Sequence, residues 1–248
     1  MPKTNLKTTV MNIAVIFAGG SGSRMTNASK PKQFLEFNGK PIIIYTLEHF
    51  QNHPEIDAII TVCIEPWIPY MKSLAETYKI TKIASIVPGG ETGQDSIWNG
   101  INEAHRLFPE DSAVLIHDGV RPLINSQVIT DNIRTTQEKG NCITSVKAIE
   151  TLLIDNNDGT THIPPRKDSF IARAPQTFIL KDIHAAHSRA REEGRHDFID
   201  SCTLMHHYGH ELNRIIGPME NIKITTPSDY FMFRALILAR AGEQIFGL

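Results

Sequence analysis

Residues 13–34, IAVIFAGGSGSRMTNASKPKQF, join an apolar run to a glycine-rich loop that carries isolated cations. Ile13 to Phe17 is short, rich in β-formers and without polar alternation, as expected of a strand buried on both faces of a parallel sheet. Ala18, Gly19, Gly20, Ser21 and Gly22 follow. Residues this small let backbone N–H groups approach a ligand closely and point the same way, which makes a concavity for phosphate. Arg24, Lys30 and Lys32 add positive charge. The loop matches no common glycine motif. Met25 stands where the dinucleotide fingerprint needs a third glycine, and no Lys-Ser/Thr pair sits at P-loop spacing. Ser23 replaces the final glycine of a nucleophile elbow. Taken alone, the stretch also reads as a strand-to-helix turn with surface cations.

Outward from this stretch, strands and helices alternate. Pro41 to Phe50 places Ile43, Ile44, Leu47 and Phe50 at helical spacing, with Pro41 at the first helical position. Asp57–Ile64 reads as a second strand, Trp67–Tyr78 as a helix and Lys82–Val87 as a third strand. The alternation predicts a three-layer α/β fold on a mostly parallel sheet. A second glycine element, Pro88-Gly89-Gly90-Glu91-Thr92-Gly93, leads into a helix with Ile97, Ile101, Ala104 and Leu107 on one face. Ligands of open α/β sheets lie beyond the carboxyl ends of the strands, so both glycine loops are expected on one edge.

Ala113 to Ile116 reads as a strand that runs into His117-Asp118-Gly119-Val120-Arg121-Pro122. An acid there, beside two phosphate-type loops, suits Mg²⁺, which takes one or two carboxylates and completes its shell with phosphate oxygens and water. Asp118 is therefore the candidate metal ligand, and a turn or helix-cap role is its ordinary alternative. His117 reads as a packed or orienting residue. Residues 125–138 predict a helix and Cys142–Val146 a strand. Lys147–Asp155, the turn Asn156-Asn157-Asp158-Gly159 and Thr160–Pro165 then predict a β-hairpin arm over about 147–168, ending near Arg166. A lone hairpin is marginal in water, so a second subunit is expected against it. Ala174–Phe178 returns the chain to the sheet, Leu180–Glu192 and Asp200–Tyr208 read as helices, and Glu211–Ile216 as a strand. Residues 221–229, NIKITTPSD, read as a strand carrying Lys223 and then a proline-initiated helix to about Arg240. Lys223 points either to solvent or at a phosphate.

With 248 residues and a formal net charge of -2, the chain fits a single domain over 1–248 and not a general nucleic-acid binder. Cys63, Cys142 and Cys202 form no CxxC pair and read as reduced thiols of a cytoplasmic protein. The leader MPKTNLKTTVMN lacks the apolar core of a signal peptide, and no run approaches a membrane span. The 11 histidines lack an HExxH context for zinc.

The ordered set AGGSGSRM, KPKQF, PGG with Ser96, HDGVRP, APQTF and NIKITTPSD resembles the CDP-alditol cytidylyltransferase family, over about Ile13 to Ala239. That family comprises ribitol-5-phosphate and 2-C-methyl-D-erythritol 4-phosphate cytidylyltransferases. Trp67-Ile68-Pro69, Ile163-Pro164, Pro175-Gln176-Thr177-Phe178 and Ile224-Thr225-Thr226-Pro227 resemble the ribitol-phosphate branch. The resemblance implies a Rossmann-like nucleotidyltransferase fold and transfer of a cytidylyl group from CTP to an alditol phosphate, with CDP-ribitol as the expected product, destined for wall or capsule synthesis. It implies that Arg24, Lys32 and Lys223 neutralise charge on the triphosphate and transition state. Ala18, Gly19, Gly20, Gly90, Glu91 and Ser96 would bind the nucleotide, Arg121, Thr151 and Arg166 the alditol phosphate, and Asp118 Mg²⁺. It also implies a homodimer, with Thr151 and Arg166 supplied by the neighbouring subunit. Two departures stand out: Gly93 occupies a position where many relatives carry arginine, and Ile199-Asp200 replaces a common Thr-Asp pair. The methylerythritol-phosphate activity is the alternative substrate reading. A nucleotide-binding scaffold is the non-enzymatic one, disfavoured by Arg24, Lys32, Asp118, Arg166 and Lys223 occurring together.

Overall fold

In a computed structural model the described residues are 10–19 and 30–246, with side chains described to residue 240. The expected alternation is present. β1 (Asn12–Ala18) leads through a 3-10 turn at Lys32–Phe34 to a minimal hairpin of β2 (Glu36–Phe37) and β3 (Lys40–Pro41), then α1 (Ile42–Gln51). Then follow β4 (Ala58–Cys63), α2 (Ile68–Thr77), β5 (Ile83–Pro88), α3 (Gly93–Leu107), β6 (Ala113–Asp118), α4 (Ser126–Lys139) and β7 (Asn141–Lys147). β8 (Ile154–Asp155) and β9 (Thr161–His162) belong to the arm, and β10 (Phe170–Ile179) returns to the sheet. The chain closes with α5 (Leu180–Glu192), α6 (Ser201–His207), β11 (Arg214–Ile216) and α7 (Pro227–Phe246).

The main sheet has the order β11-β7-β10-β6-β1-β4-β5. Every neighbouring pair is parallel except those of β10, which runs antiparallel to both β6 and β7. The reversal follows from the arm: a hairpin excursion between β7 and β10 brings the chain back from the opposite direction, where a crossover helix would have kept it parallel.

Side-chain alternation along β1 divides the core. Ala14 and Ile16 pack with α1, α2 and α4, whose Ile44, Leu47, Met71 and Ile129 are buried. Ile13 and Val15 face the other way, onto Ile97 and Ile101 of α3, Ile183 of α5 and Leu204 of α6. A strand apolar on both faces therefore sits between two helical layers, which is why its sequence shows no polar alternation. Gly100 lets α3 sit close to the sheet, since a Cβ there would lie 2.5 Å from Val15 Cγ1.

Three sequence expectations need correction. The arm's paired strands are two residues each, Ile154–Asp155 against Thr161–His162; the flanking residues 148–153 and 163–165 have no ladder. Pro164 and Pro165 cannot donate to one, and Gly159 at φ 85° closes the turn. Residues 221–225 form no strand, so Lys223 sits on irregular backbone. The last strand covers Arg214–Ile216 alone. In addition, β6 extends through His117 and Asp118, placing both inside the strand.

Candidate active site

Parallel pairing aligns the carboxyl ends of the central strands. Phe17 of β1 lies opposite Asp118 of β6, Ala18 opposite Cys63 of β4, and Cys63 opposite Pro88 of β5. Gly19, the first glycine after β1, and Gly89, after β5, leave from this edge and touch. A Cβ on Gly19 would stand 3.1 Å from Gly89 Cα and 2.7 Å from Ser96 Oγ, so this approach requires glycine. The first loop's start is held from below by Gln33, which is buried and donates from Nε2 to the Ala18 carbonyl at 2.7 Å. The second loop opens α3 through a capping box, in which Thr92 Oγ1 accepts from Asp95 N and Asp95 Oδ2 accepts from Thr92 N. Ser96 Oγ accepts from Gly90 N at 3.1 Å.

Beside Gly19 and the second loop lies a cavity of about 380 Å³, whose walls include Ala18, Gly19, Lys32, Gly90, Glu91, Ser96, Asp118 and Lys223. Seven expected site residues other than Asp118 thus share one space: Ala18, Gly19, Lys32, Gly90, Glu91, Ser96 and Lys223. Arg24 and Gly20 lie outside the described residues. Lys30, also positive in the sequence, turns away and pairs with Glu36 at 3.0 Å.

Asp118 is the electrostatic centre. It is buried, accepts from Arg121 Nε at 2.7 Å on Oδ2 and lies 2.6 Å from Lys223 Nζ on Oδ1. Burial by itself would raise its pKa; Arg121 and Lys223 outweigh that and hold the carboxyl well below the usual carboxylate range. His117, fully buried against the Phe50 ring, is pushed down to about 3 by burial and stays neutral, its Nε2 3.2 Å from the Arg121 carbonyl. It is a packed residue, as its apolar neighbours suggest.

Lys223 reaches the site without a strand because its segment is tied at three points. Ile224 N donates to the Val120 carbonyl at 2.9 Å, Asn221 Nδ2 donates to the Ala174 carbonyl at 2.8 Å, and the Asn221 carbonyl accepts from Arg121 Nη1 at 3.1 Å. Asn221 and Ile224 are fully buried. A second cavity of about 240 Å³ shares Asp118 and Lys223 with the first and continues past Arg121 to Arg173, Gln176 and Asp200. Thr151 and Arg166 lie together on the exposed arm, with Arg166 Nη2 donating to Thr151 Oγ1 at 3.3 Å, and line neither cavity. Gln33, Arg173 and Asn221 escaped the sequence reading, because a polar residue gives no local sign of what it will face after folding.

The family model described as 2-C-methyl-D-erythritol 4-phosphate cytidylyltransferase matches residues 12–239. The chain belongs to this cytidylyltransferase family. A protein of Streptococcus agalactiae serotype III named ribitol-5-phosphate cytidylyltransferase is 52% identical over 96% of this chain and 100% of its own length. One of that name from Vibrio parahaemolyticus is 49% identical over 96% and 100%. A Clostridium botulinum protein named 2-C-methyl-D-erythritol 4-phosphate cytidylyltransferase is 37% identical over 94% and 96%. Among solved structures, 4-diphosphocytidyl-2C-methyl-D-erythritol synthase from Anaerococcus prevotii superposes with a TM-score of 0.79 at 26% identity, covering 92% of this chain and 96% of that one. The nucleotidyltransferase fold implied by the resemblance of the ordered motifs is therefore the fold of this chain.

Proposed function

We propose that this cytidylyltransferase uses CTP and D-ribitol 5-phosphate, giving CDP-ribitol and pyrophosphate. The observation that carries the reading is the pair of neighbouring cavities that share Phe17, Gly93, Asp118 and Lys223 as walls. A nucleotide triphosphate fits between the glycine loops and a phosphorylated polyol fits beyond, so the two phosphates meet at the cations. The choice of ribitol rests on the relatives of that name at 52% and 49% identity over nearly the whole chain.

In the proposed reaction a phosphate oxygen of the alditol phosphate forms a bond to the α-phosphorus of CTP. The bond from that phosphorus to the bridging oxygen breaks, and pyrophosphate leaves with the electron pair. No protein nucleophile is required; the chain positions the reactants and neutralises charge. Lys32 and Lys223 face the triphosphate and the charge that develops in the transition state, with Arg24 assigned the same task by family resemblance. Gly90, Glu91 and Ser96 hold the nucleoside, and Arg121 meets the acceptor's phosphate.

Asp118 is chemically suited to Mg²⁺, which needs few protein carboxylates when phosphate oxygens and waters complete its shell. In the protein alone the two Asp118 oxygens hold Arg121 Nε and Lys223 Nζ, so an ion there would share the carboxylate with these cations or displace one of them. Asp118 would hold the ion, which when bound would offset negative charge on the phosphates.

The enzyme is further proposed to be a cytoplasmic homodimer supplying activated ribitol for wall or capsule polymers. Thr151 and Arg166 would complete the neighbouring subunit's acceptor site, and the arm's exposed Ile149, Leu153 and Ile163 support burial against a second copy. No described helix is long and apolar enough to cross a membrane.

Pyrophosphate release, measured with CTP and either ribitol 5-phosphate or 2-C-methylerythritol 4-phosphate, tests the substrate. Turnover is expected with ribitol 5-phosphate. Turnover with methylerythritol phosphate alone would move the enzyme to the activity named for the 37% identical relative.

A further inference from the structure

Arg173 lies on β10 where the ladder to β7 shifts register, between Ala172 and Gln176. Such irregularities lift a residue out of the regular pairing and re-aim its side chain, commonly beside active sites. Here the side chain turns into the second cavity. Its Nη1 donates to the Asn221 carbonyl at 2.7 Å and to the Met219 carbonyl at 3.4 Å. The same Asn221 carbonyl accepts from Arg121 Nη1 at 3.1 Å, so two guanidinium groups converge on one oxygen.

The charges around this point do not balance. Asp118 is shared by Arg121 and Lys223, and Arg173 has no carboxylate within ion-pair distance among the described residues. Asp200, the other acid of the cavity, is occupied elsewhere. It caps α6 by accepting from Thr203 N at 2.9 Å and also accepts from Gln176 Nε2 at 3.0 Å. Burial and the neighbouring Arg121 both disfavour the charged form of Arg173. The Nε and Nη2 donors of Arg173 have no hydrogen-bond partner among the described residues. A partly buried guanidinium with unused donors beside a second guanidinium is the setting in which a phosphate dianion is bound by charge-assisted, often bidentate, hydrogen bonds.

We infer that Arg173, acting beside Arg121, is a binding residue for the phosphate of the acceptor substrate, because its guanidinium, without a carboxylate partner among the described residues, shares the Asn221 anchor and lines the same cavity as Asp118 and Lys223. This assignment rests on the proposed cytidylyl transfer, but not on which alditol phosphate is the acceptor. It gives the acceptor's phosphate two arginines from the same subunit, before any contribution from a partner's arm.

The test compares the full-length wild type with Arg173→Gln and Arg173→Lys. Initial rates are taken with CTP and with whichever alditol phosphate the wild type uses best. Arg173→Gln is expected to raise KM for the alditol phosphate on the order of 10- to 100-fold, as for loss of a charged hydrogen bond, with KM for CTP within about twofold. Arg173→Lys is expected to recover part of that loss. An unchanged acceptor KM, or equal changes in both KM values together with a lowered melting temperature, would overturn the inference in favour of a structural role. A second readout needs no turnover. With the nucleotide site filled by a CTP analogue bridged by methylene between its α- and β-phosphates, inorganic phosphate is expected to raise the melting temperature of the wild type and not of Arg173→Gln. Equal stabilisation of both overturns the assignment. A wild type inactive with every alditol phosphate but showing this difference would remove the proposed reaction while keeping Arg173 as a phosphate ligand.

Discussion

Lys223 Nζ lies 2.6 Å from Asp118 Oδ1, and Arg121 Nε lies 2.7 Å from the other oxygen of the same buried carboxylate. One acid thus holds two cations at the junction of the two cavities. Removing it leaves charges unpaired in a partly desolvated place, which for a buried pair costs about 3–5 kcal/mol. Asp118→Ala is expected to lower the denaturation midpoint accordingly and to abolish turnover. Asp118→Asn, close in shape, is expected to lose turnover as well. Activity retained by Asp118→Asn would exclude the carboxylate from the chemistry.

Lys32→Ala is expected to cut turnover by at least ~100-fold, the usual effect of deleting one preorganised charge contact to a transition state. Its circular dichroism should match the wild type, because the fold is expected to survive. Unchanged turnover would remove the charge-neutralising role proposed for Lys32.

The two glycine loops meet at Gly19, where a methyl group would stand 2.7 Å from Ser96 Oγ and 3.1 Å from Gly89 Cα. Gly19→Ala should therefore push the loops apart and raise KM for CTP on the order of 10-fold or more, since small misplacements are costly in such sites. KM for the alditol phosphate should change less. A wild-type KM for CTP would mean that the cavity between the loops does not hold the nucleotide.

His187 is buried beside Trp98, and both ring nitrogens lack a hydrogen-bond partner among the described residues. Burial, reinforced by Arg191 and His184, pushes its pKa down to about 4. The unfolded chain therefore binds a proton near pH 6.5 that the folded chain refuses until about pH 4. The stability associated with the neutral ring is complete above ~6.5 and falls by up to ~1.4 kcal/mol per pH unit between those values. His187→Phe, similar in size and without polar atoms, should raise stability at pH 5 and flatten the slope of urea midpoints between pH 7 and 4.5. A slope equal to that of the wild type would place the dependence elsewhere, His117 being the next group to examine.

The arm exposes Ile149, Leu153 and Ile163 at 63%, 70% and 61% of their full accessibility. If a second copy covers them, Leu153→Asp with Ile163→Asp should convert a dimer to a monomer in sedimentation velocity and remove turnover. A fully active monomeric wild type would show that Thr151 and Arg166 need no partner to act, or do not act.

Local pattern was enough to reveal much of this protein. The largely apolar runs of β1, β4 and β6, without polar alternation and separated by helices with one apolar face, specify a sheet covered on both sides, because burial selects those periods residue by residue. Glycines at the strand ends likewise disclosed the two loops, since few other residues allow backbones to approach so closely. Asp118 was legible for a related reason, as an acid at the end of a parallel strand. The backbone beneath Lys223 and the partners of Gln33 and Arg173 were not. Lys223 sits in a segment whose Ile-Lys-Ile spelling suggests a strand, yet that segment spends its backbone and side-chain hydrogen bonds on Val120, Ala174 and Arg121 and joins no ladder. Gln33 and Arg173 are polar residues whose partners are carbonyls distant in sequence. Sequence periodicity records which face is buried; the partner that a buried donor meets is set by packing between distant segments, and here that packing decided which cations share Asp118 and which one is left for a ligand.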